Sequence, residues 1–193
     1  MNKLIIAATT CALLAGCSSI APQSKWVAEE TTDSFYGTSA CTVKFNDAMQ
    51  NMPLAYGVRY YPFVAKDADG NDLFGIGNNY NLPVGDVLIK IDSNEPIRIS
   101  QSETQVKQGA SYKAPASSDN PAVQQAVDNA MKMSSPYTTA SKEKSATIIN
   151  EMKSGKILMV RVIGLGVNNS TASTDGTYAL DETLSSGLSQ CGI

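Results

Sequence analysis

The chain has 193 residues, 15 Lys and Arg against 18 Asp and Glu, a formal charge of −3, and no histidine. Its charges are interspersed, with no basic run to neutralise phosphates, which argues against nucleic-acid binding. The lack of histidine removes Ser-His and Cys-His catalysis and the usual transition-metal sites, so no metal, no cofactor and no enzymatic activity are expected.

The first element reads as a leader. Lys3 gives a positive start, and residues 4–15 form an apolar stretch of about twelve residues, too short to span a bilayer but long enough for a secretory signal. It ends in Leu14-Ala15-Gly16-Cys17, which resembles the processing site of bacterial lipoproteins. That resemblance implies removal of residues 1–16 and acylation of Cys17, the new first residue. Ser18 in place of Asp implies the outer membrane, facing the periplasm. An ordinary signal peptide with a coincidental cysteine is the alternative. Loss of Lys3 takes the basic count from 15 to 14 against 18 acidic residues, a charge of −4. Attraction to anionic head groups then gives way to acyl chains, each buried methylene contributing roughly 0.8 kcal/mol.

Residues 17–25 read as a small, polar tether, and residues 26–193 as a single periplasmic domain. Trp26 opens the folded part. A first strand is expected at 40–45 and a longer one at 54–66. In the latter, Leu54, Tyr56, Val58 and Tyr60 alternate with Ala55, Gly57, Arg59 and Tyr61. Pro62 should end its pairing or place it at an edge. Asp69-Gly70 signals a hairpin before a strand at 73–76. Val87, Ile89 and Ile91 share one face of a strand at 84–92, which turns through 92–95 into a partner strand at 96–100. The Ser, Gln, Lys, Ala and Pro of residues 101–119 predict a mobile loop or a poorly regular hairpin.

Two helices follow. Asn120 is a good cap and Pro121 a good first residue for a helix with Val123, Ala126, Val127, Ala130 and Met131 in one stripe. The second runs over 142–153, with Ile148, Ile149 and Met152 apolar, and stops at Gly155. Strands at 156–163 and 177–180 come next. Asp181 then caps a terminal helix whose Leu184 and Leu188 share a face. This order predicts an α+β fold with a mainly antiparallel sheet, as a sandwich or a curled sheet, and two or three short helices.

Of the four cysteines, Cys11 belongs to the leader and Cys17 is the acylation site. Cys41 and Cys191 remain, and in an oxidising periplasm such a pair reads as a disulfide. Closing about 150 residues restricts the unfolded chain by roughly 4–5 kcal/mol in the chain-entropy picture. A metal pair and a reactive thiol are the other readings, although no second cysteine lies close to either position.

Several strings carry potential chemistry. Ser141-Lys142-Glu143-Lys144, Ser118-Asp119-Asn120 and Lys153-Ser154-Gly155 look like the motifs of serine penicillin-recognising enzymes, in which a Ser-Lys pair performs acyl transfer. Their order along the chain is wrong for those enzymes, and too few residues separate Lys144 from Lys153. Caps at Asn120 and Ser141 and a helix stop at Gly155 account for the same residues. Asp67-Ala68-Asp69-Gly70-Asn71-Asp72 hints at a calcium loop, but its Gly is fourth rather than sixth, so a solvated hairpin tip fits better. Gly75-Ile76-Gly77 and Gly164-Leu165-Gly166 look like strand ends or bulges. Arg59, Arg98 and Arg161 are the only arginines. Grouped on one sheet face they could receive an anionic ligand; singly they are solvated or paired with carboxylates. Tyr56, Tyr60, Tyr61, Phe63, Phe74 and Tyr80 are either sheet packing or an exposed aromatic surface for a protein or glycan partner.

Trp26, the run Asp33-Ser34-Phe35-Tyr36-Gly37-Thr38-Ser39-Ala40-Cys41, the central Val87-Leu88-Ile89-Lys90-Ile91-Asp92, the stretch 148–162 and the ending Tyr178-Ala179-Leu180-Asp181, Gly187-Leu188 and Cys191 occur in a familiar order. The arrangement resembles secreted proteins of the invasion-associated locus B type and the related VasI-like accessory proteins of secretion clusters. The chain departs from them at residues 101–119. The resemblance implies a non-enzymatic, β-rich envelope domain with a structural disulfide between Cys41 and Cys191, and it brings no catalytic residues. The function expected is therefore that of a lipid-anchored accessory factor contacting an envelope protein. A small anionic-ligand or glycan binding module is the second expectation, and a Ser141-Lys144 hydrolase the most remote.

Overall fold

Alternating apolar residues build antiparallel strands, which the chain arranges in two sheets. The computed structural model describes residues 25–34, 38–48, 53, 57–67, 69–105, 121–164 and 175–193. The leader with Cys17, together with Tyr56, Ser118-Asp119-Asn120 and Leu165-Gly166, lies outside the described residues. The strands are β1 (Lys25–Asp33), β2 (Thr38–Asn46), β3 (Tyr60–Lys66), β4 (Asp72–Asn78), β5 (Asp86–Ile91), β6 (Ile97–Ile99), β7 (Tyr137–Thr139), β8 (Ile157–Gly164) and β9 (Asp175–Ala179). The helices are α1 (Pro121–Met133), α2 (Lys142–Ser154) and α3 (Glu182–Gln190). One sheet has the order β1-β2-β3-β4-β7 and the other β6-β5-β8-β9. The fold is α+β.

One hydrophobic core holds these layers together. Val87, Ile89 and Ile91 of β5 are buried while Leu88 and Lys90 between them are not, the signature of a strand with one face inward. Val43, Phe45, Val64, Phe74 and Ile76 enter the same cluster from the five-stranded sheet, and Leu158, Val160 and Tyr178 from the other. Ile148, Ile149 and Met152 of α2 and Leu184 and Leu188 of α3 complete it. Each such side chain stabilises the fold by roughly 1.5–3 kcal/mol. The caps match their residue types. Ser141 Oγ accepts the Lys144 N–H at the start of α2, Gly155 ends that helix, and Asp181 accepts the Thr183 N–H at the start of α3.

Three expectations change. Strand β3 begins at Tyr60, since residues 57–59 are not strand and Gly57 sits at φ +93°. Pro62 lies inside β3, which has neighbours on both sides, but the β2 ladder covers only Phe63 to Ala65. It stops one residue short of Pro62, as a residue without an N–H requires, while β4 pairs on to Tyr60 opposite Asn78. Helix α1 forms as its stripe predicts, yet no described residue of it is buried, and Val123 and Met133 are exposed. Periodicity specifies an amphipathic face, not what packs on it.

Two features close the structure over long distances. Cys41 in β2 and Cys191 at the end of α3 form a disulfide across a sequence separation of 150, with their Cα atoms 5.4 Å apart. Within the four-stranded sheet, where β5 begins and β8 ends, Gly85 at φ +82° lies so close to the Gly164 backbone that any Cβ would collide with it. The β5–β8 register shifts at that point, between Asp86 and Val87, which accounts for the glycine at the end of β8.

Candidate functional site

Two concave regions bring polar and aromatic side chains together. The first lies on the outer face of the five-stranded sheet. Tyr61 and Phe63 stand directly opposite Gly77 and Gly75 in β4. The Tyr61 ring lies 3.0 Å from where a Gly77 Cβ would be, and the Phe63 ring overlaps the corresponding position of Gly75. Glycine is thus needed at both places to let the rings lie flat on the sheet. Tyr137 of β7 meets Phe63 edge-to-face, with centroids 6.3 Å apart. These half-buried rings, with Lys44, Asn81 and Thr139, border a groove of about 240 Å³.

The second region opens where the ends of β2 and β3 meet β9. An aromatic file runs beneath it: Trp26 against Phe45 at 5.5 Å and Phe45 against Tyr178 at 5.0 Å, both edge-to-face. Trp26 Nε1 donates to Ala179 O (2.6 Å) and Tyr178 Oη to Tyr60 O (2.8 Å), which ties the two sheets at this corner. Burial pushes the Tyr60 and Tyr178 phenols above the ordinary range; for Tyr178, Asp47 pushes the same way and Arg59 opposes. Both stay neutral hydroxyls. Phe45, Asp47, Arg59, Tyr60, Asp175 and Tyr178 line a cleft of about 330 Å³ here.

The three arginines do not converge. Arg98 pairs with Asp86 (2.6 Å) and Arg161 with Asp175 (2.6 Å), both on exposed ground. Exposed pairs of this kind contribute little to stability. Arg59 differs. Its backbone N–H donates to Asn79 Oδ1 (3.0 Å), and its Nε is buried with no acceptor among the described residues.

The two acyl-transfer strings among the described residues, 141–144 and 153–155, serve the fold. Lys144 Nζ donates to Glu103 Oε1 (2.7 Å) and to Arg98 O (2.9 Å), and it is the Lys144 backbone N–H that meets Ser141 Oγ (3.4 Å). Ser154 Oγ returns to Asn150 O and Glu151 O of its own helix. At the β3–β4 hairpin, Asp67 accepts the N–H groups of Asp69 (2.9 Å) and Asn71 (2.8 Å), and Asp72 pairs with Lys66 (2.6 Å). Those carboxylates close a turn. Among the described residues, no three carboxylates or cysteines gather as a metal set.

Asp86 and Glu103 are joined through Ser100, whose hydroxyl donates to Asp86 and whose N–H donates to Glu103. Burial alone would raise both carboxyls, but hydrogen bonds outweigh it. Arg98, the Gln101 N–H and Ser100 serve Asp86; Lys144 and the Ser100 and Ser141 N–H groups serve Glu103. Both therefore titrate below their ordinary values of 3.8 and 4.5. A lowered folded-state value means that this stabilisation is present above the ordinary value and lost as pH falls through the folded one. Asp86→Asn is thus expected to lower stability at neutral pH and to flatten its decline toward about pH 3. Urea midpoints at the two pH values check this, and an unchanged slope would contradict it.

The sequence did not single out Gln101, the side chain that holds this corner. It is 2% exposed. Its Nε2 donates to Lys132 O and toward Ser135 O and Tyr137 O; its Oε1 accepts the Gly85 N–H (2.8 Å) and touches the Thr138 hydroxyl. It thereby fixes β7, and with it Tyr137, at the wall of the aromatic groove.

No protein-family model matches the chain, and no curated protein sequence does. Among solved structures it is a weak neighbour of the crystal structure of invasion associated protein B from Bartonella henselae. The two share 12% identity over 88% of this chain and 96% of the other, with a TM-score of 0.42.

Proposed function

We propose that this protein is an accessory factor of the bacterial envelope, attached to the outer membrane by an acylated Cys17 and facing the periplasm, and that it acts by contacting another envelope protein rather than by catalysis. The Cys41–Cys191 disulfide carries the reading. Such bonds persist in oxidising compartments, and this one agrees with an export leader that ends in Leu14-Ala15-Gly16-Cys17. Two further observations support it. The side chains of the Ser-Lys string are a helix cap and an ion pair. The half-buried rings of Tyr61, Phe63 and Tyr137 are of the kind enriched at protein interfaces.

Expression in a Gram-negative host tests the attachment. The native chain is expected in the outer-membrane fraction of a density gradient. Cys17→Ser should remove it from that fraction and leave it as unprocessed precursor or soluble protein. Equal outer-membrane recovery of the two would overturn the anchor.

A further inference from the structure

The aromatic groove of the five-stranded sheet has a floor and a wall. Tyr61 and Phe63, two residues apart on one face of β3, lie flat over Gly77 and Gly75. The Tyr137 ring meets Phe63 at 89° and stands upright beside them. Lys44 is the only charged residue among those described at the groove, and it pairs with Glu29 (2.8 Å). The Tyr61 and Tyr137 hydroxyls and the side-chain amides of Asn81 and Gln105 have no partner among the described residues, and all four can donate.

These features sort the ways in which a peptide docks. An added strand needs a free edge, but β3 and β4 lie inside the sheet, between β2 and β7. At the edge strand β7, the Tyr137 N–H donates to Ser135 Oγ (3.3 Å) and the Thr139 N–H to Thr104 Oγ1 (3.3 Å). A helix, about 10–12 Å across, needs a longer trough than about 240 Å³ supplies. A phosphorylated or acidic segment needs free cations, and Lys44 is paired. A polyproline II segment fits what is left. It is preformed, its rings pack on aromatic faces and in the furrows between them, and its carbonyls are open to donors. Proline has no N–H to satisfy, so it needs only donors, which the four uncharged side chains supply. Resting on the accessory reading, we infer that the groove docks an uncharged, proline-rich segment of the partner protein, with Tyr61, Phe63 and Tyr137 holding its rings and the free hydroxyls and amides its carbonyls.

Saturation-transfer NMR on the full chain, with acetyl-decaproline amide as the probe, tests this. The peptide should bind saturably with a Kd of about 1 mM or tighter. Tyr137→Ala, which removes the wall, should weaken it at least about tenfold. Thr42→Arg, which puts a charged side chain over the floor from its place opposite Ala65, should do the same, while Arg98→Met in the other sheet leaves binding unchanged. The unfolding midpoint of each variant shows that it is folded, and Thr42→Arg keeps the test decisive if Tyr137→Ala is not. An alternating Gly-Ser decapeptide and uncharged chitohexaose are the flexible-peptide and glycan comparisons. No binding of decaproline, equal binding of the Gly-Ser peptide, binding of the glycan alone, or decaproline binding that survives both variants would each overturn the inference. A chain found in the outer membrane that does not bind decaproline overturns the inference and leaves the attachment standing; one that binds it but is absent from that membrane supports the inference and refutes the attachment.

Discussion

Replacing Cys41 and Cys191 together by serine lowers the unfolding free energy by about 2–5 kcal/mol. The reason lies in the unfolded chain. The bond closes a loop of 150 residues, so its removal restores conformational freedom to nearly the whole domain. The native state also loses a tie at a vulnerable place. Helix α3 is the last element, and besides packing against β1 and β2 it is held by the Trp26 N–H donating to Thr183 Oγ1 (3.1 Å) and by the disulfide itself. Without the bond, α3 frays first, uncovering Val43, which packs against Gly187. Urea unfolding of the native chain with and without reductant, alongside the double variant, checks this. A shift below about 1 kcal/mol would show that the pair contributes no staple.

Gln101→Met is expected to cost about 1–3 kcal/mol although it preserves length and volume. Methionine offers no acceptor to the buried Gly85 N–H, whereas Lys132 O keeps the Ser135 N–H and the Thr138 hydroxyl keeps Gly85 O. A buried donor stranded in this way costs roughly 1–3 kcal/mol. Gln125→Met on the exposed face of α1 should stay within about 0.5 kcal/mol of the native chain. The difference in urea midpoint between the two variants isolates the buried network from the effect of the substitution itself. Equal midpoints would mean that solvent satisfies the Gln101 partners. Because Gln101 fixes β7, its loss should also quench the contact between Tyr137 and Phe63, visible in the near-ultraviolet circular dichroism.

The parts of this fold that the sequence made legible are those set by one local pattern. Val87, Ile89 and Ile91 alternate strictly, and β5 follows. Ser141, Gly155 and Asp181 are the residue types that cap helices, and α2 and α3 begin or end there. Strand β1 was not legible, because Trp26 and Ala28 are followed by Glu29, Glu30, Thr31 and Thr32. What makes it a strand is full-length pairing with β2, a tertiary fact. Gln101 sits in a polar run that reads as a loop, and only the folded chain brings the Lys132, Ser135 and Tyr137 carbonyls to its amide.

The candidate sites divide in the same way. The disulfide followed from cysteine arithmetic and compartment. The aromatic cluster separates by strand position: Phe74 faces the core, whereas Tyr61 and Phe63 face outward over glycines. Spacing along the chain gives no information on whether arginines converge, since Arg59 precedes β3 of one sheet while Arg98 and Arg161 lie in β6 and β8 of the other. Two of them find aspartates on neighbouring strands, and the buried Arg59 Nε has no acceptor among the described residues.

The most direct test of the envelope-anchor account is the intact mass of the protein purified from membranes, measured after alkylation with and without prior reduction. The account predicts a chain that begins at Cys17 and carries two or three acyl chains, with Cys41 and Cys191 alkylated only after reduction. An unacylated product, or both thiols alkylated without reduction, would contradict it.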